Sequence, residues 1–200
     1  MTLTDQDFLN AASLIGCDPK VIKAVTKVES SGSGFDPSGR CIIRFENHKF
    51  YQFWGKDHSA DYAMHFKFTR SQPWLGHLVL LPPGGMWQGV HTGNAQEWRV
   101  FEYAESLDEA AAKKSISMGL FQLMGFNYQL AGYASVQDFF NDQVKSEALQ
   151  LEAFSRFCKN YNNLATYLTK KDWKNFAARY NGSGNVDDYA KKLEKAYESL

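Results

Sequence analysis

Glu29 is the first residue whose type and position suggest chemistry. It lies four residues after Val25 and seven after Ile22, so on a helix it shares their apolar face. It also falls in the last turn of that helix, where free carbonyl groups carry partial negative charge. Burial and the helix dipole both favour the neutral carboxyl and raise its pKa. Such an acid is suited to protonating a glycosidic oxygen, and the alternative is a helix-terminal glutamate that turns outward.

A second carboxylate follows at the end of the next predicted element. Residues 40 to 46 alternate in polarity as a strand does, and Glu46 ends that segment. Two-carboxylate glycosidases pair an acid with a second carboxylate that activates water or stabilises the oxocarbenium ion. Glu46 is therefore a second catalytic candidate, and Asp36 in the intervening loop competes for the role. The non-catalytic alternative for Glu46 is a salt bridge or hydrogen bond with Arg44 or His48.

Two polar residues stand out against apolar sequence in the second half of the chain. Gln122 lies within the apolar run 118–124. An unpaired buried amide costs about 1–3 kcal/mol, so its side chain must reach backbone, water or ligand. Tyr180, followed by Asn181, ends a helix, and its hydroxyl can hydrogen-bond while its ring packs. Taken singly, either residue is more typical of a core than of a site.

The cysteines and histidines show no metal-binding or nucleophilic pattern. Cys17, Cys41 and Cys158 are widely scattered, with no Cys-x-x-Cys pair and no cluster at metal-ligand spacing. None of the five histidines pairs with Ser or Cys as a catalytic triad requires. We expect buried or half-buried thiols, no disulfide framework, no metal site and no cofactor.

The helix that carries Glu29 has clear boundaries in the sequence. Thr4 and Asp7 have the spacing of a capping box at the start of a first helix. Asp18 and Pro19 then begin a second helix, because proline is tolerated in a first turn. The Ser- and Gly-rich segment 30–34 ends it directly after Glu29.

The predicted fold class is mainly α (α+β), with a small β lobe inserted after the helix of Glu29. The lobe covers about residues 40–95, where Gly and Pro break any long element, and we interpret it as short strands and turns. The remainder is predicted to be helical, including the apolar segment 115–124. Its longest helix begins at Ser135 and continues to Cys158.

Composition excludes several classes of protein. Two hundred residues, 44% of them hydrophobic, suit a single globular domain over residues 1–200. Lys plus Arg and Asp plus Glu are both 22, which argues against a nucleic-acid binder that works by counterion release. The longest aliphatic run has four residues, so we expect no stable membrane insertion. Asp5 and Asp7 stand where a secretory signal needs basic residues, so we expect synthesis in the cytoplasm.

Three motifs occur in an order that resembles a known family. They are Glu29-Ser30 after a helix, Gly119-x-x-Gln122, and Tyr180-Asn181 before the last helix. This order is similar to the signature of lytic transglycosylases and goose-type lysozymes. From about residue 3 to 197 the chain resembles the N-acetylmuramidase domain of many phage endolysins. The segments that carry this resemblance are 28–35, 43–50, 117–127 and 180–182.

The resemblance implies a lysozyme-like fold and cleavage of the β-1,4 bond between N-acetylmuramic acid and N-acetylglucosamine. It implies that Glu29 is the general acid, and Glu46 matches the family's Phe-Glu-x-His pattern as the second catalytic carboxylate. The residues implied to bind substrate are Ser30, Gln122, Tyr180 and Asn181. Met118 stands where we expect the family to favour Trp, which puts a sugar-stacking role for this position in doubt.

Two alternative functions remain open from the sequence. A lytic transglycosylase needs one acid/base group and gives 1,6-anhydro products, so Glu46 discriminates it from a hydrolase. A non-catalytic peptidoglycan-binding protein is the other alternative. For the leading interpretation we expect a monomeric endolysin without a separate wall-binding domain, made in the host cytoplasm. A separate holin-type protein would release it to the cell wall in the periplasm.

Overall fold

The computed structural model describes residues 3–29, 33–182 and 184–200. Within these ranges the chain is mainly helical, with two small antiparallel sheets, which confirms the predicted fold class. The helices are α1 (Asp5–Ile15), α2 (Pro19–Glu29), α3 (Asn47–Phe50), α4 (Ser59–His65), α5 (Asn94–Leu107), α6 (Glu109–Lys114), α7 (Val136–Gln143), α8 (Glu147–Asn160), α9 (Leu164–Lys170), α10 (Trp173–Tyr180) and α11 (Val186–Glu198). The strands are β1 (Ile43–Phe45), β2 (Phe66–Lys67), β3 (Leu78–Val79), β4 (Gln88–Gly89), β5 (Ile116–Met118) and β6 (Leu123–Met124).

The first two helices begin and end where the sequence predicts. The Thr4 side chain accepts a hydrogen bond from the backbone of Asp7, whose carboxylate accepts one from the Thr4 backbone at 2.8 Å. Gly16 closes α1 in the left-handed conformation, with φ of 83°. Helix α2 buries one face, which includes Ile22 and Val25, and Glu29 is its last residue. The catalytic candidate is thus fixed at the end of a well-packed helix.

The first sheet joins distant parts of the chain in the order β1-β5-β6. Strands β1 and β5 are antiparallel, and Arg44 lies opposite Ser117. The second sheet, β2-β3-β4, is formed entirely between residues 66 and 89. The β lobe therefore contains one local sheet, while β1 is paired to a hairpin more than 70 residues later.

The predicted strands and turns are wrong over 47–65, because this part of the lobe is helical. Helix α3, a π-helical turn at Tyr51–Gly55 and helix α4 follow one another. The rings of Phe50 and Trp54 stack at 5.1 Å, and His58 stacks on Trp54 at 4.7 Å. These rings recur every four residues, which is the spacing that brings side chains together on a helix.

Two further predictions of helix are corrected by the structure. Segment 115–124 forms the β5–β6 hairpin instead, because Gly119 and Gln122 take left-handed φ values of 69° and 45° and reverse the chain. The single long helix predicted from Ser135 is two helices, α7 and α8. A second cap explains the break, since the Ser146 side chain accepts a hydrogen bond from the Leu149 backbone.

One connected apolar core lies beneath these elements. Its largest fully buried side chains include Phe45, Phe101 and Phe154, which come from β1, α5 and α8. The three cysteines are free thiols, with Cys41 and Cys158 buried and Cys17 half-buried. Across the described ranges, the structure contains no helix with the length and apolarity needed to cross a bilayer.

Candidate active site

Glu29 lies at the end of α2 with a largely buried carboxyl group. Its Oε1 atom is buried and has no hydrogen-bond partner among the described residues. Burial raises the pKa of Glu29 to about 7. Burial also raises the pKa values of Tyr180 and Cys158, and the nearby Glu29 charge raises them further. Glu29 therefore lies near Cys158 of α8 and Tyr180 of α10, and its burial there favours the neutral form.

Ser30, a predicted substrate-binding residue, lies outside the described residues. Where the described chain resumes, the Ser33 hydroxyl and the Gly34 N–H donate hydrogen bonds to Oε1 of Glu147, at 3.1 and 2.7 Å. The Gly34 carbonyl then accepts a hydrogen bond from the Ile42 N–H at 2.9 Å. The chain that follows Glu29 is thus tied both to the start of α8 and to the approach to β1.

Gln122 occupies the turn between β5 and β6. Its side-chain amide donates to the carbonyls of Gly119 at 2.8 Å and Ile42 at 3.4 Å, and it accepts from the Ser117 hydroxyl at 2.8 Å. The amide thus reaches the backbone, one of the three partners that the sequence left open, but Gln122 is exposed and not buried as the argument from the sequence assumed. These bonds hold the amide in one orientation at the surface.

Gln150 is a buried polar residue that the sequence analysis missed. Its Oε1 accepts from the Leu120 N–H and its Nε2 donates to the Gln143 carbonyl, both at 2.8 Å. A Cβ atom on Gly34 would lie 2.0 Å from Oε1 of Gln150, and one on Gly119 would lie 2.3 Å from its Cδ. The sequence could have indicated its burial, because Gln150 lies four residues before Phe154 and shares the apolar face of α8. Gln150 joins the loop after Glu29 to the Gln122 turn.

Tyr180 connects helix α10 to the same turn. Its hydroxyl donates to the Phe121 carbonyl at 2.9 Å, and its ring stacks on Phe176 at 5.3 Å. Asn181 is exposed and caps α10, with its backbone N–H bonded to the Ala177 carbonyl at 2.9 Å. The structure therefore brings the predicted Glu29, Gln122 and Tyr180 motifs to one region.

Glu46 lies between β1 and α3 and has polar contacts on both carboxylate oxygens. Oε1 is 3.0 Å from Nε of Arg44, while Oε2 is 3.3 Å from Nδ1 of His48 and 3.6 Å from Nδ1 of His77. Burial lowers the pKa of both histidines, so they stand beside Glu46 in their neutral form. Glu46 therefore makes the contacts with Arg44 and His48 that the non-catalytic alternative expects, and a catalytic Glu46 would have to act while it keeps them.

A cavity of about 290 Å³ lies between β1, the start of α5 and the Gln122 turn. The side chains that line it include Arg44, His91, Asn94, Glu97 and Gln122. Arg44 lies opposite Ser117, which bonds to Gln122, and Glu46 is two residues further along the strand direction. Neither Glu46 nor Glu29 is among the residues that line this cavity, so Arg44 and Gln122 are the parts of the candidate site that it reaches.

Asp36 is held by hydrogen bonds in its loop, and Met118 lies in the core. Hydrogen bonds from Ser38, Asn94 and the Arg40 backbone lower the pKa of Asp36 to about 2. These bonds hold the Asp36 carboxylate in the loop that precedes β1, and Asp36 stays an alternative to Glu46 as the second carboxylate. Met118 is fully buried, so its side chain is not available to a sugar.

The family model of N-acetylmuramidases matches residues 18–200, which include every motif described above. The chain belongs to the N-acetylmuramidase family. Its structure is similar to the crystal structure of a Burkholderia AP3 phage endolysin, with a TM-score of 0.79 and 33% sequence identity. The match covers 98% of this chain and 71% of that one. None of the curated proteins compared with the muramidase matches it significantly.

Membership of this family confirms several predictions made from the sequence. The muramidase is a glycoside hydrolase with a mainly α, lysozyme-like fold, and its substrate is peptidoglycan.

Proposed function

We propose that the muramidase is a phage endolysin that hydrolyses the β-1,4 bond between N-acetylmuramic acid and N-acetylglucosamine. Its family and its similarity to the AP3 phage endolysin support this function. The observation that carries the mechanism is the buried, unpartnered carboxyl oxygen of Glu29, because a carboxyl with a pKa of about 7 keeps its proton in weakly acidic to neutral solution.

Glu29 acts as the general acid in this proposal. Its carboxyl proton passes to the glycosidic oxygen as the bond from that oxygen to the anomeric carbon breaks, which leaves the Glu29 carboxylate and an oxocarbenium-like sugar. Water adds to the anomeric carbon and releases one proton, so the overall reaction consumes one water molecule. Regaining a proton returns Glu29 to its starting state.

Glu46 is the proposed second carboxylate, which takes the proton from water or stabilises the positive sugar. Its salt bridge to Arg44 at 3.0 Å supports an ionised, fixed carboxylate. Its position two residues after Arg44, which lines the cavity, supports access to the substrate.

Substrate binding is assigned to Gln122, Tyr180, Asn181 and Ser30. Gln122 supports this role best, because it is exposed, lines the cavity and is held by three hydrogen bonds. Tyr180 and Asn181 lie at the end of α10 beside it, while the assignment of Ser30 rests on its sequence position next to Glu29.

Mass spectrometry of the muropeptides released from purified sacculi tests the proposal directly. A muramidase gives saccharides with free N-acetylmuramic acid reducing ends. The Glu29→Gln variant should bind the sacculi but release no such saccharides. Cleavage confined to peptide stems, or release that is equal for the variant and the wild type, would contradict the assignment.

Lytic transglycosylation is the second candidate, favoured by the polar contacts on both oxygens of Glu46. Under that scheme Glu29 alone acts as acid and base, and the substrate supplies its own hydroxyl as the nucleophile. The same mass spectra distinguish the two reactions, because only 1,6-anhydro products would then be found.

The proposed route to the substrate requires a second protein. We infer that the muramidase is a monomer made in the host cytoplasm and released to the periplasmic wall by a holin-type protein. Cells that express it alone should lyse only after their inner membrane is permeabilised. Lysis with an intact membrane would contradict this route.

A further inference from the structure

A group of potential metal ligands lies on the β-lobe side of the site. One carboxylate oxygen of Glu46 and one ring nitrogen each of His77 and His91 lie within 4.8 Å of one another. Glu46 precedes α3, His77 directly precedes β3, and His91 follows β4 by two residues. Three separate elements of the lobe therefore direct nitrogen and oxygen atoms to one point.

The tautomer of His77 presents a lone pair to this point. Its Nε2 lies 2.8 Å from the Pro73 carbonyl, and because a carbonyl only accepts, Nε2 must carry the proton. Nδ1 therefore has the lone pair, and it lies 3.6 Å from Oε2 of Glu46. The other contact of Nδ1 is a long hydrogen bond of 3.4 Å from the Asn47 N–H. The His77 side chain is fully buried, so this orientation is fixed.

His91 repeats the arrangement with a carboxylate in place of the carbonyl. Its Nδ1 lies 2.8 Å from Oε1 of Glu97, which accepts a hydrogen bond and leaves the lone pair on Nε2. Nε2 is buried and has no hydrogen-bond partner within the described part of the chain. A buried nitrogen lone pair without a partner is costly, and a metal ion would satisfy it.

We propose that Glu46, His77 and His91 bind a divalent transition-metal ion, for which Zn²⁺ is the best match. Two imidazole nitrogens and one carboxylate oxygen are the protein ligands of several zinc sites, whereas Mg²⁺ and Ca²⁺ prefer oxygen. Ligands about 2.0–2.2 Å from a tetrahedral ion lie roughly 3.3–3.6 Å apart. The 3.6 Å separation of Glu46 and His77 already matches this spacing.

The surroundings of the three ligands are those of a metal site. Metal-bound histidines commonly donate their second N–H to a carbonyl or carboxylate, as His77 does to Pro73 and His91 to Glu97. Glu97 is itself buried and fixed, since its Oε2 accepts from the Phe45 N–H at 2.8 Å. His91 also lines the cavity beside Gln122, which gives an ion an entry path to the group.

An ion at this position would connect the β1-β5-β6 sheet to the β2-β3-β4 sheet. Glu46 follows β1, while His77 and His91 flank the β2-β3-β4 sheet. The spacing of the ligands in the sequence explains why they were missed there, because the residues are far apart along the chain. The proposal replaces the sequence-based expectation of no metal site. It shares Glu46 with the proposed mechanism, but metal binding is measured without turnover, so the two proposals can fail separately.

Isothermal titration of the metal-free, untagged chain with Zn²⁺ tests the proposal. We expect one ion per chain and a higher melting temperature with Zn²⁺, because an ion that binds only the folded state stabilises it. Co²⁺ should give the visible absorption of a four-coordinate site, and Zn²⁺ should abolish it. No heat with Zn²⁺ and no Co²⁺ spectrum would overturn the proposal and leave the three residues as a hydrogen-bonded network.

Three variants separate this site from other zinc-binding groups on the chain. His91→Ala should lose the Co²⁺ spectrum, and Glu97→Gln, which retains all three ligands, should weaken Zn²⁺ binding by about 10–100-fold. His58→Ala removes an exposed histidine outside the group and should bind as the wild type does. Circular dichroism confirms that each variant is folded. Unchanged binding by folded His91→Ala, or equal losses in His58→Ala, would overturn the proposal.

Discussion

The two carboxylates assigned to catalysis lie in opposite surroundings. Glu29 ends a helix, has one buried oxygen without a partner, and is raised in pKa to about 7 by burial. Glu46 has Arg44 on one oxygen and two histidines near the other. The same chemical group is thus favoured as an acid in one place and held by polar partners in the other. Environment, rather than residue type, divides the roles.

The largest expected effect is the loss of activity in Glu29→Gln. Glutamine retains the shape of the side chain but has no proton to transfer, so turnover of peptidoglycan should fall by about 10²–10⁴-fold. Release of muropeptides from sacculi measures it. Glu198→Gln at the end of α11 is a matched control for an exposed helix-terminal glutamate, and its activity should be unchanged. Loss of less than tenfold in Glu29→Gln would remove Glu29 from the mechanism.

The same substitution should stabilise the fold at high pH. The pKa of Glu29 rises from 4.5 to about 7 on folding, so between these values the unfolded chain loses a proton that the folded chain keeps. Wild-type stability therefore falls as the pH rises through this window, by about 3 kcal/mol in total. Above pH 7 Glu29→Gln should exceed the wild type in free energy of unfolding by up to that amount. Near pH 4 the difference should vanish, and urea unfolding at both pH values measures it.

Glu46→Gln tests the other half of the comparison. If the Glu46 charge is used in hydrolysis, its removal should lower activity by about 10²-fold. Glu102→Gln is a suitable control, because Glu102 also pairs with an arginine, Arg40, but on the surface. A near-silent Glu46→Gln variant would favour the single-carboxylate transglycosylase scheme, which the muropeptide products would then have to match.

Tyr180→Phe should have the smallest effect. It removes the hydrogen bond to the Phe121 carbonyl beside Gln122, at a cost of about 1 kcal/mol in the free energy of unfolding. Tyr189→Phe is the matched control, because the buried Tyr189 hydroxyl has no partner among the residues that the structure describes. Its removal should be neutral or stabilising. Equal effects of both variants in urea unfolding would show that the Tyr180 bond does not hold the site together.

Helix boundaries and the position of Glu29 were predictable because their causes are local. A capping box, a first-turn proline and an apolar spacing that ends at Glu29 are all visible within the first 29 residues. The order of the three motifs was also sufficient to indicate the family and fold. These features depend on neighbours along the chain, which a sequence displays directly.

The features that were missed depend on contacts between distant segments. The apolar sequence of the β5–β6 hairpin predicts a helix. Its spacing does not show that Gly119 and Gln122 take left-handed φ angles or that β5 pairs with the distant strand β1. The burial of Gln150 follows from its helical spacing to Phe154, but its close approach to Gly34 and Gly119 depends on the fold. The His77–His91 pair is formed by the second sheet, whose strands have only two residues each.

The most direct test of the account is the pKa of the Glu29 side chain in the folded muramidase. Carbon-13 NMR of the glutamate carboxyl carbons, compared between the wild type and Glu29→Gln, assigns that signal and follows its titration. We expect a midpoint near 7 for Glu29, because its carboxyl is largely buried and one oxygen has no partner among the described residues. A midpoint near 4.5, the value of an exposed glutamate, would contradict the claim that Glu29 is held as an acid.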